Sequence, residues 1–192
     1  MAMVTTQVAG KIGELYVFNE LLKRGAIPCI PLVDEGVDAL VRTHSGHIIE
    51  VQIKSAGAAG GKDPRWFQVA KVEPRKNLFI IGVEVRDGES GDVWVFPSAV
   101  YNVYASLPPK GSPRDLNLES GKKKHGVVLK DLLCGFRNRW ELVTQYEKYE
   151  HLLEHPEDLA DVLAMKDAME APPEEGFTLE DYLQRRAARV SN

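Results

Sequence analysis

The chain has 192 residues, of which 44% are hydrophobic and 27% charged, a balance that fits a globular protein and excludes a collagen-like, low-complexity or wholly disordered one. Its two cysteines, Cys29 and Cys134, cannot build a disulfide framework, and no apolar run nears the roughly 20 residues of a bilayer span, so a cytoplasmic protein with no membrane partner is expected. The formal net charge of -4 hides a split: residues 1–146 hold 19 basic against 16 acidic side chains, and residues 147–192 hold 5 against 12.

Between residues 6 and 24, Val8, Ile12, Leu15, Phe18, Leu21 and Leu22 recur at helical spacing and Gly25 follows as a stop signal, which predicts a first helix. Residues 26–32 are β-rich but broken by Pro28 and Pro31, the pattern of an edge strand. Residues 37–42 and 47–54 flank Thr43-His44-Ser45-Gly46 and predict an antiparallel hairpin. A glycine-rich loop at 57–62 leads to a short strand at 66–69. The continuous apolar run 78–85 then predicts a strand buried on both faces, and a glycine turn leads into another strand at 93–96. Pro97-Ser98 opens a helix. Residues 107–126, with three prolines and Lys122-Lys123-Lys124, form a long polar loop, and helical spacing returns over 138–154 with Trp140, Val143, Tyr146, Leu152 and Leu153. Cys29 and Cys134 are expected to be small buried side chains.

Beyond His155-Pro156, residues 157–169 and 178–190 read as two short amphipathic helices around a proline-containing linker. The stripe Leu159, Val162, Leu163 and Met169 is too short to bury itself, so it is expected to dock on the body or on another chain. The chain therefore divides into a domain at 1–155 and an acidic helical tail at 156–192. That tail weakly resembles the C-terminal part of several bacterial antitoxins, which would make it an arm that wraps a partner or covers the protein's own basic face.

The chemistry concentrates around Ile49-Glu50-Val51-Gln52-Ile53-Lys54. Strand alternation places Glu50, Gln52 and Lys54 on one face and the three aliphatic residues on the other. Asp38 lies in the partner strand beside an apolar run, where a carboxylate is costly unless something satisfies it. Glu14 shares a helical stripe with Val17, Phe18 and Leu21 and points toward the core side of the first helix. Two carboxylates, one neutral oxygen donor and one ammonium can hold a hard divalent cation, Mg²⁺ or Mn²⁺. A nearby lysine then orients or deprotonates the attacking water, a set suited to in-line hydrolysis of a phosphodiester.

Helix-borne Glu14, hairpin Asp38, and Gln52-Ile53-Lys54 followed by Ser55 together resemble the PD-(D/E)XK nuclease superfamily. The chain is most similar to its resolvase-type nucleases and to the cyanobacterial group I intron homing endonuclease, in which glutamine replaces the second acidic residue. The resemblance covers roughly residues 6–105. It implies an α/β, restriction-endonuclease-like core: a first helix, a mixed sheet of four to five strands with a β-meander, and flanking helices, followed by the helical C-terminal extension. It also implies Asp38 as the principal metal ligand, Glu14 as a ligand acting directly or through water, Gln52 at the usual acidic position and Lys54 as the catalytic lysine. Val37 stands where the motif's proline would be, and Glu50 is a second-tier site residue that recovers some of the charge Gln52 lacks.

DNA is the expected substrate and a homodimer the expected assembly. Lys62, Arg65, Lys71, Arg75 and Lys76, interleaved with Trp66 and Phe67, and the basic loop Lys122, Lys123 and Lys124 are candidates for tracking phosphates. His44, His47 and His125 show no metal-ligand spacing and receive no catalytic role. The alternative is a catalytically weakened nucleic-acid-binding or partner-binding module of the same fold.

Overall fold

The computed structural model describes residues 5–33, 36–57, 66–69, 72–86, 89–106, 114–118, 120–124 and 127–170. Helix α1 (Thr6–Lys23) begins at Thr5, whose hydroxyl accepts the Val8 N–H at 3.3 Å, and it ends ahead of Gly25, whose φ of +79° suits a residue without a Cβ. Strands β1 (Ile27–Cys29), β2 (Ala39–Arg42) and β3 (Ile48–Gly57) form an antiparallel meander, with Gly46 at φ +89° in the hairpin turn. Strand β4 (Trp66–Val69) leaves the main sheet. Strands β5 (Leu78–Arg86) and β6 (Glu89–Pro97) return to it, β5 parallel to β3 and β6 antiparallel to β5. The result is a five-stranded mixed sheet in the order β1-β2-β3-β5-β6.

Helix α2 (Ser98–Tyr104) follows, and β7 (Arg114–Asn117) pairs with β4 in a second, two-stranded sheet. Strands β8 (Lys123–Lys124) and β9 (Val127–Val128) make a third small pair before α3 (Leu129–Cys134), α4 (Glu141–Thr144), α5 (Tyr146–Tyr149), a 3₁₀ turn at Glu150–Leu152, and α6 (Pro156–Glu170). The segment expected to be one polar loop at 107–126 thus supplies two strands. Leu116 and Leu118, both buried, anchor this segment to the core, a local signal overshadowed by the surrounding prolines and lysines.

Two layers clamp the sheet. Helix α1 crosses one face, where a Cβ on Gly13 would collide with the Ser55 hydroxyl and approach Val83, its register partner. The β4–β7 pair covers the other, where the Phe67 ring occupies the space over Gly82 and packs tilted against Trp94, with ring centroids 5.8 Å apart. Tyr101 ties α2 to this layer by accepting the Val69 N–H and donating to the Phe67 carbonyl. The two approaches need glycine because the opposing atoms fill the volume a side chain would take.

Several expectations change in three dimensions. Of the six apolar residues whose spacing predicts α1, Val8, Leu15 and Leu22 are more than half exposed, while Gly13, Val17 and Leu21 face the sheet. The helix expected over 138–154 is broken into α4, α5 and the 3₁₀ turn. Trp140, Val143 and Tyr146 recur every three residues and would drift off one side of a 3.6-residue helix, so the chain kinks at Gln145 to keep all three buried. Both cysteines are exposed rather than buried. Leu159 and Leu163 of α6 are fully buried within the chain's own core, and Arg139–Asp167 and Lys166–Glu141 ion pairs fasten the helix, while Met169 remains exposed. The second tail helix, expected at 178–190, lies outside the described residues.

Candidate active site

Strand β3 is longer than its hairpin partner. Residues 48–51 pair with β2, whereas from Gln52 onward β3 pairs only with β5. One edge of β3 therefore opens at the carboxyl end of a parallel strand pair, and the backbone donors on that edge need partners from elsewhere. Asp38, just outside β2, supplies one. Its own N–H bonds the Val51 carbonyl at 2.9 Å, and its carboxylate accepts the Ile53 N–H at 2.6 Å. The carboxylate takes the place of a strand carbonyl and is fixed in the plane of the sheet, at the level of the residue between Gln52 and Lys54. This also resolves the anomaly of an acidic residue beside an apolar run, since the charge is hydrogen-bonded where it enters the sheet.

The faces of β3 follow the expected alternation. Ile49, Val51 and Ile53 are buried, and Glu50, Gln52 and Lys54 are half-buried. Gln52 reaches toward the loop before Asp38: its amide nitrogen lies 3.9 Å from where a Cβ on Gly36 would stand. Lys54 is paired in register with Gly82, so the Phe67 ring over Gly82 lies on the lysine's face of the sheet. Among the described residues no acidic side chain pairs with the Lys54 ammonium.

Glu14 arrives from the helix-covered side. It follows Gly13, the point of closest approach between α1 and β3, and its side chain is 30% exposed. The residue it meets is Lys11, one turn earlier, whose ammonium donates to the Glu14 carboxylate. Lys11 is held above its ordinary pKa first by that hydrogen bond, then by the charge of Glu14, and also by the charge of Asp38. Lys11 is thus the direct partner of the helix carboxylate. Its only mark in the sequence is its place, since a lysine three residues ahead of a core-side glutamate is a recognisable helical pair.

Other candidates are placed differently. Glu50 is held by Arg75, whose guanidinium lies 2.7 Å from its carboxylate, and by Asn77 at 3.5 Å. Arg75 thus offsets the charge that Glu50 was expected to add beside Gln52. Arg75 is in turn anchored through its backbone to the buried Ser98 hydroxyl, and Lys76 pairs with Glu154 at 3.2 Å. Phe67 is core, Lys122 and Lys123 are exposed on and before β8, and Lys124 completes that strand. Lys62, Arg65 and Lys71, like His125, lie outside the described residues. His47 packs its ring 5.2 Å from Tyr146 and belongs to the scaffold.

Among the described residues no three His, Cys, Asp or Glu side chains gather as a metal cluster. A cation here would depend on two carboxylates, Asp38 and Glu14, supplemented by the Gln52 amide oxygen. All are hard oxygen donors, the class Mg²⁺ and Mn²⁺ prefer, and two carboxylates completed by water and phosphate oxygens are an ordinary Mg²⁺ set.

No protein-family model matches the sequence, and no curated protein is significantly similar to it. Among solved structures, the chain is similar to a bacterial homing endonuclease, I-Ssp6803I, with a TM-score of 0.50 and 22% identity, over 75% of this chain and 96% of that one. The two chains share a fold. The five-stranded mixed sheet with α1 on one face and the β4–β7 layer on the other is the restriction-endonuclease-like α/β architecture. Among the described residues no helix is long and apolar enough to cross a membrane.

Proposed function

We propose that this protein is a metal-dependent nuclease that hydrolyses DNA phosphodiester bonds at the open edge of β3. The observation that carries the proposal is the Asp38 carboxylate, locked by the Ile53 N–H between Gln52 and Lys54, with the Lys11–Glu14 pair on the helix that packs against β3. Such a carboxylate is pre-oriented, and the fold likeness to a homing endonuclease makes phosphodiester chemistry the natural use of it.

Asp38 and Glu14 would hold the cation, with Gln52 as a neutral donor. A bound Mg²⁺ would supply Lewis-acid polarisation of the phosphate and a more acidic water. Lys54, whose ammonium has no acidic partner among the described residues, offsets charge developing on the phosphate and orients the attacking water. Arg75, Lys76 and the Lys122–Lys124 segment contribute phosphate contacts farther along the duplex. A homodimer belongs to the same reading and is supported by the exposed Val8, Leu15 and Leu22, which recur every seven residues along the outer side of α1.

Plasmid nicking in Mg²⁺ or Mn²⁺ by wild type, Asp38→Ala and Lys54→Ala tests the assignment. Nicking is expected from wild type and lost in both variants; persistence in both removes the site. The neutral Gln52 and the Lys11–Glu14 pair favour a second reading, a binding module of the same fold with a weakened metal site. That reading predicts DNA binding without nicking.

A further inference from the structure

We infer that Lys11 is a positioning residue whose ammonium stands in for a divalent cation on Glu14 and competes with it. This rests on the nuclease reading of the Asp38 site and adds a control element to it.

The inference comes from a mismatch of charges. Glu14 is a partly buried carboxylate on the helix that packs closest to β3, and an isolated carboxylate in that position is costly. The Gly13 contact with Ser55 sets how near α1 approaches the strand and so holds the backbone of Glu14 close to β3. Its compensation is local. Lys11, one turn earlier on the same helix, donates directly to it, and Asp38 across the opening adds to the attraction. Glu20, the comparable acidic residue farther along α1, has two basic partners, Lys23 and Arg24, both at the far end of the helix from Asp38. Lys11 is therefore the basic partner of the α1 carboxylate that directly follows the Gly13 contact with β3.

Its side chain is 64% exposed and carries a flexible four-carbon stem, so it can leave Glu14 without disturbing any packing. While it stays, it satisfies one acceptor and raises the local positive potential, both of which oppose an incoming divalent ion. When it leaves, the ammonium remains tethered at the mouth of the opening, where a phosphate can take the place of the carboxylate. Resting protein is then held metal-poor, and loading is favoured once an anionic substrate offers Lys11 a second partner.

Manganese affinity of the protein alone, read by electron paramagnetic resonance of free Mn²⁺, tests this with wild type, Lys11→Met, Lys11→Arg and Asp38→Ala. Lys11→Met is expected to bind Mn²⁺ about threefold to tenfold more tightly than wild type, the scale of releasing one partly exposed ion pair, and Lys11→Arg to stay close to wild type because it keeps the competing charge. Unchanged or weaker binding in Lys11→Met, with binding still lost in Asp38→Ala, overturns the role of Lys11 and leaves the metal site standing. Equal binding in Asp38→Ala and wild type overturns the site and this inference together. Thermal melts of each variant establish that the compared proteins are folded.

Discussion

Asp38 joins two functions in one side chain, and they can be separated. Its carboxylate closes the sheet edge by accepting the Ile53 N–H, a task an amide oxygen performs equally well, and it contributes a negative charge, which an amide does not. Asp38→Asn should therefore keep a melting temperature within a few degrees of wild type while nicking falls by about 10²–10⁴-fold. Asp38→Ala should lose both, because the Ile53 donor is left unpaired in a strand. Comparable melting losses in the two variants would show that the charge, not the hydrogen bond, holds the edge. The residue-scale assignments most legible in the sequence were those governed by strand alternation, as with Gln52 and Lys54. Glu50 shares their periodicity but not their surroundings, since the Arg75 that claims it comes from the segment just before β5, 25 residues on.

At the scale of elements, close approach is what sets the two covering layers against the sheet. Gly82 leaves room for Phe67, and that ring fixes the β4–β7 layer on the face that carries Lys54. Gly82→Val should cost roughly 1–3 kcal/mol by overpacking and displace the layer, read as a lower denaturation midpoint and greater protease sensitivity between β3 and β5. A midpoint equal to wild type would mean that Phe67 has another position of equal energy. Helix α2 meets α6 through Tyr104, a buried phenol pushed up to about 12 by desolvation, with the charges of Glu157 and Asp161 adding to the effect. A raised native pKa means the folded state holds its proton longer. The stability this contributes is intact below the ordinary tyrosine value of about 10 and is lost as pH rises from there through about 12. Tyr104→Phe should flatten the decline in melting temperature over that window. If wild type and variant decline in parallel, the alkaline sensitivity lies elsewhere.

For the whole molecule, the separation of charge is also a separation of surfaces. The body is slightly basic, and α6 carries acidic residues onto it while burying Leu159 and Leu163, so the first part of the acidic segment is built into the core. The outer side of α1 is a different case, apolar and uncovered at Val8, Leu15 and Leu22. If a second copy covers it, Leu15→Lys should turn a dimer into a monomer in sedimentation equilibrium with little change in melting temperature. A wild type that is itself monomeric at all concentrations would dismiss that interface.

Local patterning by itself determined most of the described elements: α1, the hairpin around Gly46, the buried β5 and the first tail helix all follow from periodicity and turn residues, which act over a few positions. It also singled out Glu14, Asp38, Gln52 and Lys54 as candidates. What only the tertiary structure decided were the relations between distant segments. These include the parallel pairing of β3 with β5 that leaves an open edge, β7 recruited from a loop-like stretch, which side of α1 is covered, and the capture of Glu50 by Arg75. Each depends on what packs opposite, a long-range quantity that no window of neighbouring residues contains.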